Sequence, residues 1–281
     1  MKVLPFKIPK PEPGALVYQE DRATVLYDKL HQHEEIQISF VQRGRGHLIV
    51  GDTINEYMTN DILVIGSNVP HVFRSDPQAY RESVLLTLFF TKDSFGRDFF
   101  NLPDLRNIAS FFKDSDYGMR ILSNQKELIT LFKRLENQNK TERIASLLIL
   151  LDIISRSKRK ALSTFIYKKN YTDDEGKRMR AVFDYTMQHF KEGITLEDIA
   201  LKANMTKNAF CRYFKKRTNK TYFQFLIEIR IENACRLLYN RDLSILSVSE
   251  LSGFQNIGNF NRKFKELKGV SPSAFRSGLR R

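Results

Sequence analysis

The sequence predicts an α+β protein of two domains: an N-terminal β-barrel with following helices, then an all-α domain in which a long helix joins two helix-turn-helix motifs. Three observations carry this. Between residues 22 and 90 apolar residues alternate with polar ones in short runs separated by Gly, Asn, Asp and Pro. From residue 125 onward they recur at helical spacing. Charge is also segregated: residues 176–281 hold 21 Lys and Arg against 9 Asp and Glu, whereas the residues before them hold 25 against 23. The net charge of +14 therefore sits almost wholly in the helical end.

A chain of 281 residues with 42% hydrophobic content has material for two cores. No apolar run approaches a membrane span, because 84–90 and 145–154 are too short or interrupted by charge. The start, M-K-V-L-P-F-K-I-P-K-P-E-P, lacks the apolar centre and small-residue cleavage site of a secretory signal, so a cytoplasmic protein without a membrane partner is expected. Cys211 and Cys235 stand alone, with no Cys or His at zinc-ligand spacing, which argues against a disulfide framework or a zinc module. The cationic surplus favours a polyanion through phosphate contacts and counterion release, and amid helical motifs this means double-stranded DNA.

Residues 1–17 contain Pro5, Pro9, Pro11 and Pro13 and are expected to form an extended arm, with Phe6 or Ile8 available to plug a pocket. The strand-like runs are V-L-Y (25–27), I-Q-I-S-F-V (36–41), H-L-I-V (47–50), I-L-V-I (62–65) and V-L-L-T-L-F-F (84–90). Alternation in the second puts Ile36, Ile38 and Phe40 on one face and His33, Glu35, Gln37 and Ser39 on the other. Such a polar face is solvated in an open sheet and lines a pocket in a small barrel.

The string H-Q-H-E-E-I-Q-I-S-F-V-Q-R-G-R-G-H-L-I-V-G-D, followed by N-D-I-L-V-I-G-S-N-V-P-H-V-F, resembles a cupin barrel, with Asn60 where the second motif usually has Gly. The resemblance places His31, His33, Glu35 and His71 at the positions where metal-binding cupins hold an ion, and three imidazoles with a carboxylate suit Fe, Mn, Ni or Zn. The reading adopted is that these four residues bind a small-molecule effector with no cofactor. A divalent metal in the pocket is the alternative.

Beyond the strands, residues 95–112 are Phe-rich and broken by Pro103, predicting short helices beneath the barrel. Two helices follow between 125 and 155, the first carrying Leu128, Leu131, Phe132 and Leu135, the second Ile144, Leu147, Leu148, Leu151 and Ile154, with Thr141 as N-cap. Ile149, Leu150 and Ile153 widen the second apolar face beyond one stripe, so it needs two partners: the barrel and the same helix of a second subunit, giving a homodimer, or else burial wholly within one subunit. The basic run 156–160 and the polar run 167–175 suggest a tether. The expected domains are 1–160 and 177–281, with a linker at 161–176.

In the basic half, Met179, Val182, Phe183, Met187 and Phe190 share a helical face that stops near Gly193. Thr195 caps a helix with Leu196, Ile199 and Ala200; after the turn A-N-M-T, Thr206 starts a helix with Phe210 and Phe214 inward. Asn204 in that turn accepts positive φ. A long helix over 223–239 leads to the second motif, 244–275, where Gly253 ends one helix. The next helix has Ile257, Phe260 and Phe264 on one side and turns Asn256, Gly258, Asn259, Asn261, Arg262 and Lys265 outward.

Here G-F-x-N-x-x-N-F-N-R-x-F-K with K-G-V-S-P-S-x-F-R closely resembles the end of the AraC/XylS DNA-binding domain. Upstream, T-L-E-D-I-A-x-x-A-N-M-T-x-x-x-F-x-R-x-F-K and I-R-I-E-x-A-x-x-L-L are similar to its first motif and connecting helix. The resemblance implies recognition helices set about 34 Å apart on successive major-groove faces. Base-reading positions would be Asn208, Cys211 and Arg212 on the first and Ile257, Gly258, Asn259, Asn261 and Arg262 on the second, with Arg212 and Arg262 foremost. Asn256 opens the second reading face, and Lys207, Lys215, Lys216, Lys263, Lys265 and Arg276 would meet phosphates. The implied function is a transcription regulator, an activator, controlled by a small effector such as a carbohydrate, with promoter DNA, a second subunit and RNA polymerase as partners. Two rival readings are a metal-dependent cupin enzyme with a helical targeting domain and an architectural DNA binder.

Overall fold

In the computed structural model, which describes residues 14–165 and 172–279, the β-branched and aromatic runs of the first half pair as two antiparallel sheets. The strands are β1 (Leu16–Ala23), β2 (Ile36–Arg43), β3 (Arg45–Val50), β4 (Thr53–Met58), β5 (Ile62–Ile65), β6 (His71–Ser75), β7 (Ser83–Phe90), β8 (Met119–Ile121) and β9 (Arg159–Ala161). One sheet has the order β1-β7-β2-β5-β8-β9 and the other β4-β3-β6. The chain divides into two compact units, Met1–Gly176 and Lys177–Arg281.

Strand β7 is buried at every position because it lies between β1 and β2 and is covered on both faces. One face, with Ile38, Phe40, Val64, Leu86 and Leu88, packs against the helices that follow. The other, with Val41, Leu63, Ile65 and Leu85, meets Leu48, Val50, Tyr57 and Phe73 of the smaller sheet. The expected closed barrel is corrected to two facing sheets, because among the described residues β3 pairs only with β4 and β6 and no ladder joins the three-stranded sheet to the larger one. Between the sheets the backbones of His31 and His71 exchange two hydrogen bonds, of 3.1 and 2.9 Å.

The run 25–27 is not a strand: Val25 and Tyr27 are exposed and only Leu26 enters the inter-sheet core. Strands β1 and β4, which the pattern passed over, carry acidic, amide and threonine side chains because each lies at the edge of its sheet, with one side unpaired among the described residues.

Short 3-10 turns at Phe99–Asn101 and Pro103–Ile108 lead into α1 (Ala109–Ser115), α2 (Gln125–Arg134) and α3 (Lys140–Arg156). The cap of α3 is Asn139, not Thr141: its Oδ1 accepts from the Glu142 amide at 3.0 Å while the Glu142 carboxylate accepts from the Asn139 amide at 2.8 Å. This reciprocal box needs an acid three residues on, which Asn139 has and Thr141 lacks. Leu147, Leu150, Leu151, Ile153 and Ile154 are buried within the subunit, leaving Ile149 exposed at 49%.

The linker expected over 161–176 is occupied at both ends. Strand β9 pairs with β8, and the buried Asp52 carboxylate accepts from Ser163 Oγ (2.7 Å), Thr164 N (2.9 Å), Thr164 Oγ1 (2.5 Å) and Phe165 N (3.2 Å). Helix α4 already begins at Asp173. Residues 166–171, like Phe6 and Ile8 of the expected arm, lie outside the described residues.

The second unit continues from α4 (Asp173–His189) through α5 (Leu196–Lys202), α6 (Lys207–Thr218), α7 (Tyr222–Leu237), α8 (Ile245–Leu251), α9 (Ile257–Lys268) and α10 (Pro272–Gly278). Helices α5 and α8 have 7 residues each and α6 and α9 have 12. Phe210 and Phe260, Phe214 and Phe264, and the caps Thr221 and Ser271 stand 50 positions apart, so the unit is a structural duplication. Helix α7 holds the halves together. Its Phe225 packs 4.7 Å from Phe183 and 5.7 Å from Phe214, while Ile231, Ala234, Cys235 and Leu238 pack with Val248, Phe254, Phe260 and Phe264. Arg230 of α7 donates to the carbonyls of Phe190 and Glu192, each at 2.7 Å, satisfying acceptors just beyond the end of α4.

Candidate DNA interface and histidine cluster

Each helical hairpin is built by a cap, a left-handed turn residue and two buried rings. Thr206 accepts from the Ala209 amide and Asn256 from the Asn259 amide, starting α6 and α9. Between the paired helices the backbone turns through Asn204 (φ 53°) and Gly253 (φ 87°). The Cβ of any residue at 253 would stand 2.7 Å from Lys191 Cα, so the second turn needs glycine for space as well as for φ. Phe210 and Phe214, then Phe260 and Phe264, are fully buried and fix which side of each helix faces out.

That outer side carries the expected base-reading residues. Lys207, Asn208, Cys211, Arg212 and Lys215 are exposed on α6; Asn256, Ile257, Gly258, Asn259, Asn261, Arg262 and Lys265 are exposed at the start of or along α9. Ile257, placed by its spacing on the inward stripe, is 37% exposed; Phe254 joins Phe260 and Phe264 in the core instead. Of the expected phosphate partners, Lys216 is exposed and Lys263 and Arg276 are partly buried.

The two faces differ electrostatically. On α6, Asn208, Arg212 and Lys215 have no side-chain partner among the described residues, and Lys207 pairs with Glu197 of α5. On α9, Arg262 donates to Asn259 Oδ1 at 2.9 Å and Glu266 Oε1 at 3.0 Å, and Lys263 donates to Glu266 Oε2 at 2.7 Å. The hydrogen bond from Lys263, reinforced by the nearby charge of Arg262, holds the Glu266 carboxyl below its usual range. Below these faces Tyr222 bonds Thr186 at 2.9 Å, and burial pushes its phenol up to about 12, so it stays neutral.

In the first unit, three of the four predicted effector residues converge. His31, His33 and His71 are buried, and one ring nitrogen from each lies within 4.8 Å of the other two. The Glu35 carboxylate is not in that group; it stands 3.7 Å from His33 Nδ1. From His33 a buried polar chain runs along β2 and across to β7: Nε2 meets the Gln37 amide at 3.1 Å, that amide meets Ser39 Oγ at 2.8 Å, and Ser39 Oγ meets Thr87 Oγ1 at 2.9 Å. Thr87 escaped the sequence reading because it sits inside an apolar run; only its register opposite Ser39 reveals it. Gln32 was also missed, and it is fully buried with neither amide atom hydrogen-bonded among the described residues.

Comparison with known proteins follows the same division. A helix-turn-helix domain model matches residues 199–278. The uncharacterized HTH-type transcriptional regulator YdeC of Bacillus subtilis is 31% identical over 99 residues, 35% of this chain and 34% of that protein, so the chain matches about a third of that relative's length. The HTH-type transcriptional activator RhaR of Mannheimia succiniciproducens is 21% identical over 262 residues, 88% of this chain and 87% of that one. Among solved structures, the DNA-binding domain of AdpA in complex with a target DNA is 31% identical with a TM-score of 0.34, covering 35% of this chain and 89% of that one. No helix among the described residues is long and apolar enough to cross a membrane. The C-terminal unit, with its duplicated hairpins and matched span, is a helix-turn-helix DNA-binding domain of the AraC/XylS family of transcription regulators.

Proposed function

We propose that the chain is a sequence-specific activator of transcription in the cytoplasm, whose DNA-binding unit is controlled by a small effector held between the two sheets of the first unit. The observation that carries this is the pair of like-built hairpins, each burying two phenylalanines and turning Asn and Arg side chains outward. Arg pairs with guanine and Asn with adenine in the major groove, while the surrounding lysines neutralise phosphates. The inter-sheet cluster of His31, His33 and His71, with Gln37, Ser39 and Thr87, supports effector binding there, with Glu35 behind His33. Relatives that include the raffinose operon regulator RafR of Pediococcus pentosaceus support a carbohydrate or related metabolite.

In this reading the chain acts as a homodimer on promoter half-sites and contacts RNA polymerase. Ile149, exposed beside a groove lined by Lys126, Leu131 and Arg134, supports a subunit contact along α2 and α3. Control requires the effector to bind the DNA-competent state with a different affinity from the other state. Selection from a randomised DNA pool, repeated with the full chain and with residues 177–281, tests the reading. A defined motif with two spaced half-sites is expected; recovery of unrelated sequences at equal affinity sinks sequence-specific function.

A further inference from the structure

The two helical hairpins are carried on one helix. The first packs on the start of α7, where Tyr222 and Phe225 meet Phe214 at 5.6 and 5.7 Å, and the second on its later turns, through Ile231, Ala234 and Cys235. A single shared helix fixes how far apart two such bodies stand, yet packed helices slide and roll against one another at small cost. A second strut joining both bodies removes that freedom.

Helix α4 is this strut. It is held to the first hairpin by Phe183, 4.7 Å from Phe225, by the bond of Thr186 to Tyr222 at 2.9 Å, and by Tyr185, whose ring lies 4.8 Å from the Lys202 ammonium of α5. Just past its last turn the chain runs into the second hairpin. The contact there is backbone on backbone: a Cβ at Gly253 would stand 2.7 Å from Lys191 Cα and 2.8 Å from the Phe190 carbonyl oxygen. Arg230 closes the junction from α7. Its Nε donates to the Phe190 carbonyl and a terminal nitrogen to the Glu192 carbonyl, each at 2.7 Å, and its guanidinium lies 5.9 Å from the centroid of the Phe254 ring in the second core. One side chain therefore touches the end of α4 and the core of the second hairpin. The planar fork is what reaches two carbonyls at once, and a lysine ammonium offers no such fixed geometry.

We propose that Arg230 is a positioning residue for DNA reading: with Gly253 it locks the second hairpin against the end of α4, so that α6 and α9 meet their base pairs at one separation and one phase only. This rests on the reading that both hairpins contact DNA sequence-specifically, and it adds that the spacing between their two sub-sites is itself read, by residues outside the expected contact set. One extra base pair shifts the second sub-site by about 3.4 Å along the duplex and turns it by about 35° around the axis. A braced hairpin cannot follow that movement, whereas one released from α4 can roll toward it.

The test uses the full-length protein and the motif it selects, in original form and with one base pair inserted or deleted between the sub-sites. The two affinities are compared within each variant, so a fraction of unfolded protein lowers both and leaves their ratio unchanged. Wild type should bind the altered sites at least about 30-fold more weakly than the original. In Arg230→Ala that ratio should fall by at least about 5-fold, with Arg230→Lys between the two. Gly253→Ala, which pushes the turn off Lys191 while keeping the arginine, should lower the ratio as well. A ratio in Arg230→Ala within about 2-fold of wild type overturns the role, as does a wild-type chain that binds all three spacings alike. Selection of no motif by the wild-type chain is a separate failure, seen before any variant is compared: it removes the functional reading and the positioning role with it.

Discussion

The two helix-turn-helix units share a plan and differ in readiness. Both bury a pair of phenylalanines, the second pair 50 positions after the first, both start the outer helix at a side-chain cap and both end it at a left-handed residue, Asn219 or Gly269. On α6 the arginine and asparagine of the reading face are unengaged among the described residues, whereas on α9 Arg262 is already bonded to Asn259 and Glu266. A base must displace those bonds, so the same residue types offer less net gain on the second face. Repetition of architecture therefore does not imply equal division of specificity.

The sharpest way to test the shared plan is to remove one ring from each core. Phe214→Ala and Phe264→Ala each open a cavity at a fully buried position and should cost about 3 to 5 kcal/mol, with similar values if the cores are equivalent. Urea unfolding of residues 177–281 measures both. A difference larger than about 2 kcal/mol would mean that one core collapses around its cavity and the duplication is not energetic.

A smaller effect separates the turns. Gly253→Ala places a Cβ 2.7 Å from Lys191 Cα at φ 87° and should cost at least about 1 to 2 kcal/mol from the left-handed backbone alone. Asn204→Gly keeps a backbone that accepts φ 53° and should change stability by less than about 1 kcal/mol. Equal losses in the two variants would show that the turn asymmetry carries no energy.

Binding distinguishes the reading faces. Arg212→Ala should lose about 1 to 3 kcal/mol at a selected site and relax preference at one base pair, while Arg262→Ala loses less because part of its bonding is repaid internally. Titration of both variants against the selected site and a one-base variant of it provides the comparison. A larger loss for Arg262 reverses the assignment of the stronger reader.

Much of this second unit was legible because its signals are local: Thr195 and Thr206 cap helices, and Phe spacing fixes the inward face. Ile257 misled for the same reason, since spacing cannot tell the first turn of a helix at the edge of a core from its centre. In the first unit β2 and β7 were legible as strands, whereas the polar edge strands β1 and β4 were not, because pairing on one side only among the described residues leaves little hydrophobic pattern. The histidine cluster was visible as three residues, but Glu35 was grouped with them because its spacing gives no sign that its carboxylate stays outside the group, 3.7 Å from His33 Nδ1.

The smallest expected effect probes the restraint on α9 directly. Glu266 is the single acid on that helix, it accepts from both Arg262 and Lys263, and it brings negative charge close to where phosphates would bind. Glu266→Gln removes that charge and frees Arg262, so affinity for the selected DNA site should rise by about 2- to 5-fold, with a steeper dependence on salt. The hydrogen bond from Lys263 depresses the Glu266 carboxyl in the folded protein, so the carboxylate persists as pH falls and its pairing is lost only below the ordinary carboxylate range. The gain should therefore be the same at about pH 5.5 as at about pH 8. A gain that vanishes at the lower pH would show that wild-type Glu266 is already neutral there, and an absence of gain at either pH would show that the Arg262–Glu266 pair imposes no restraint on reading.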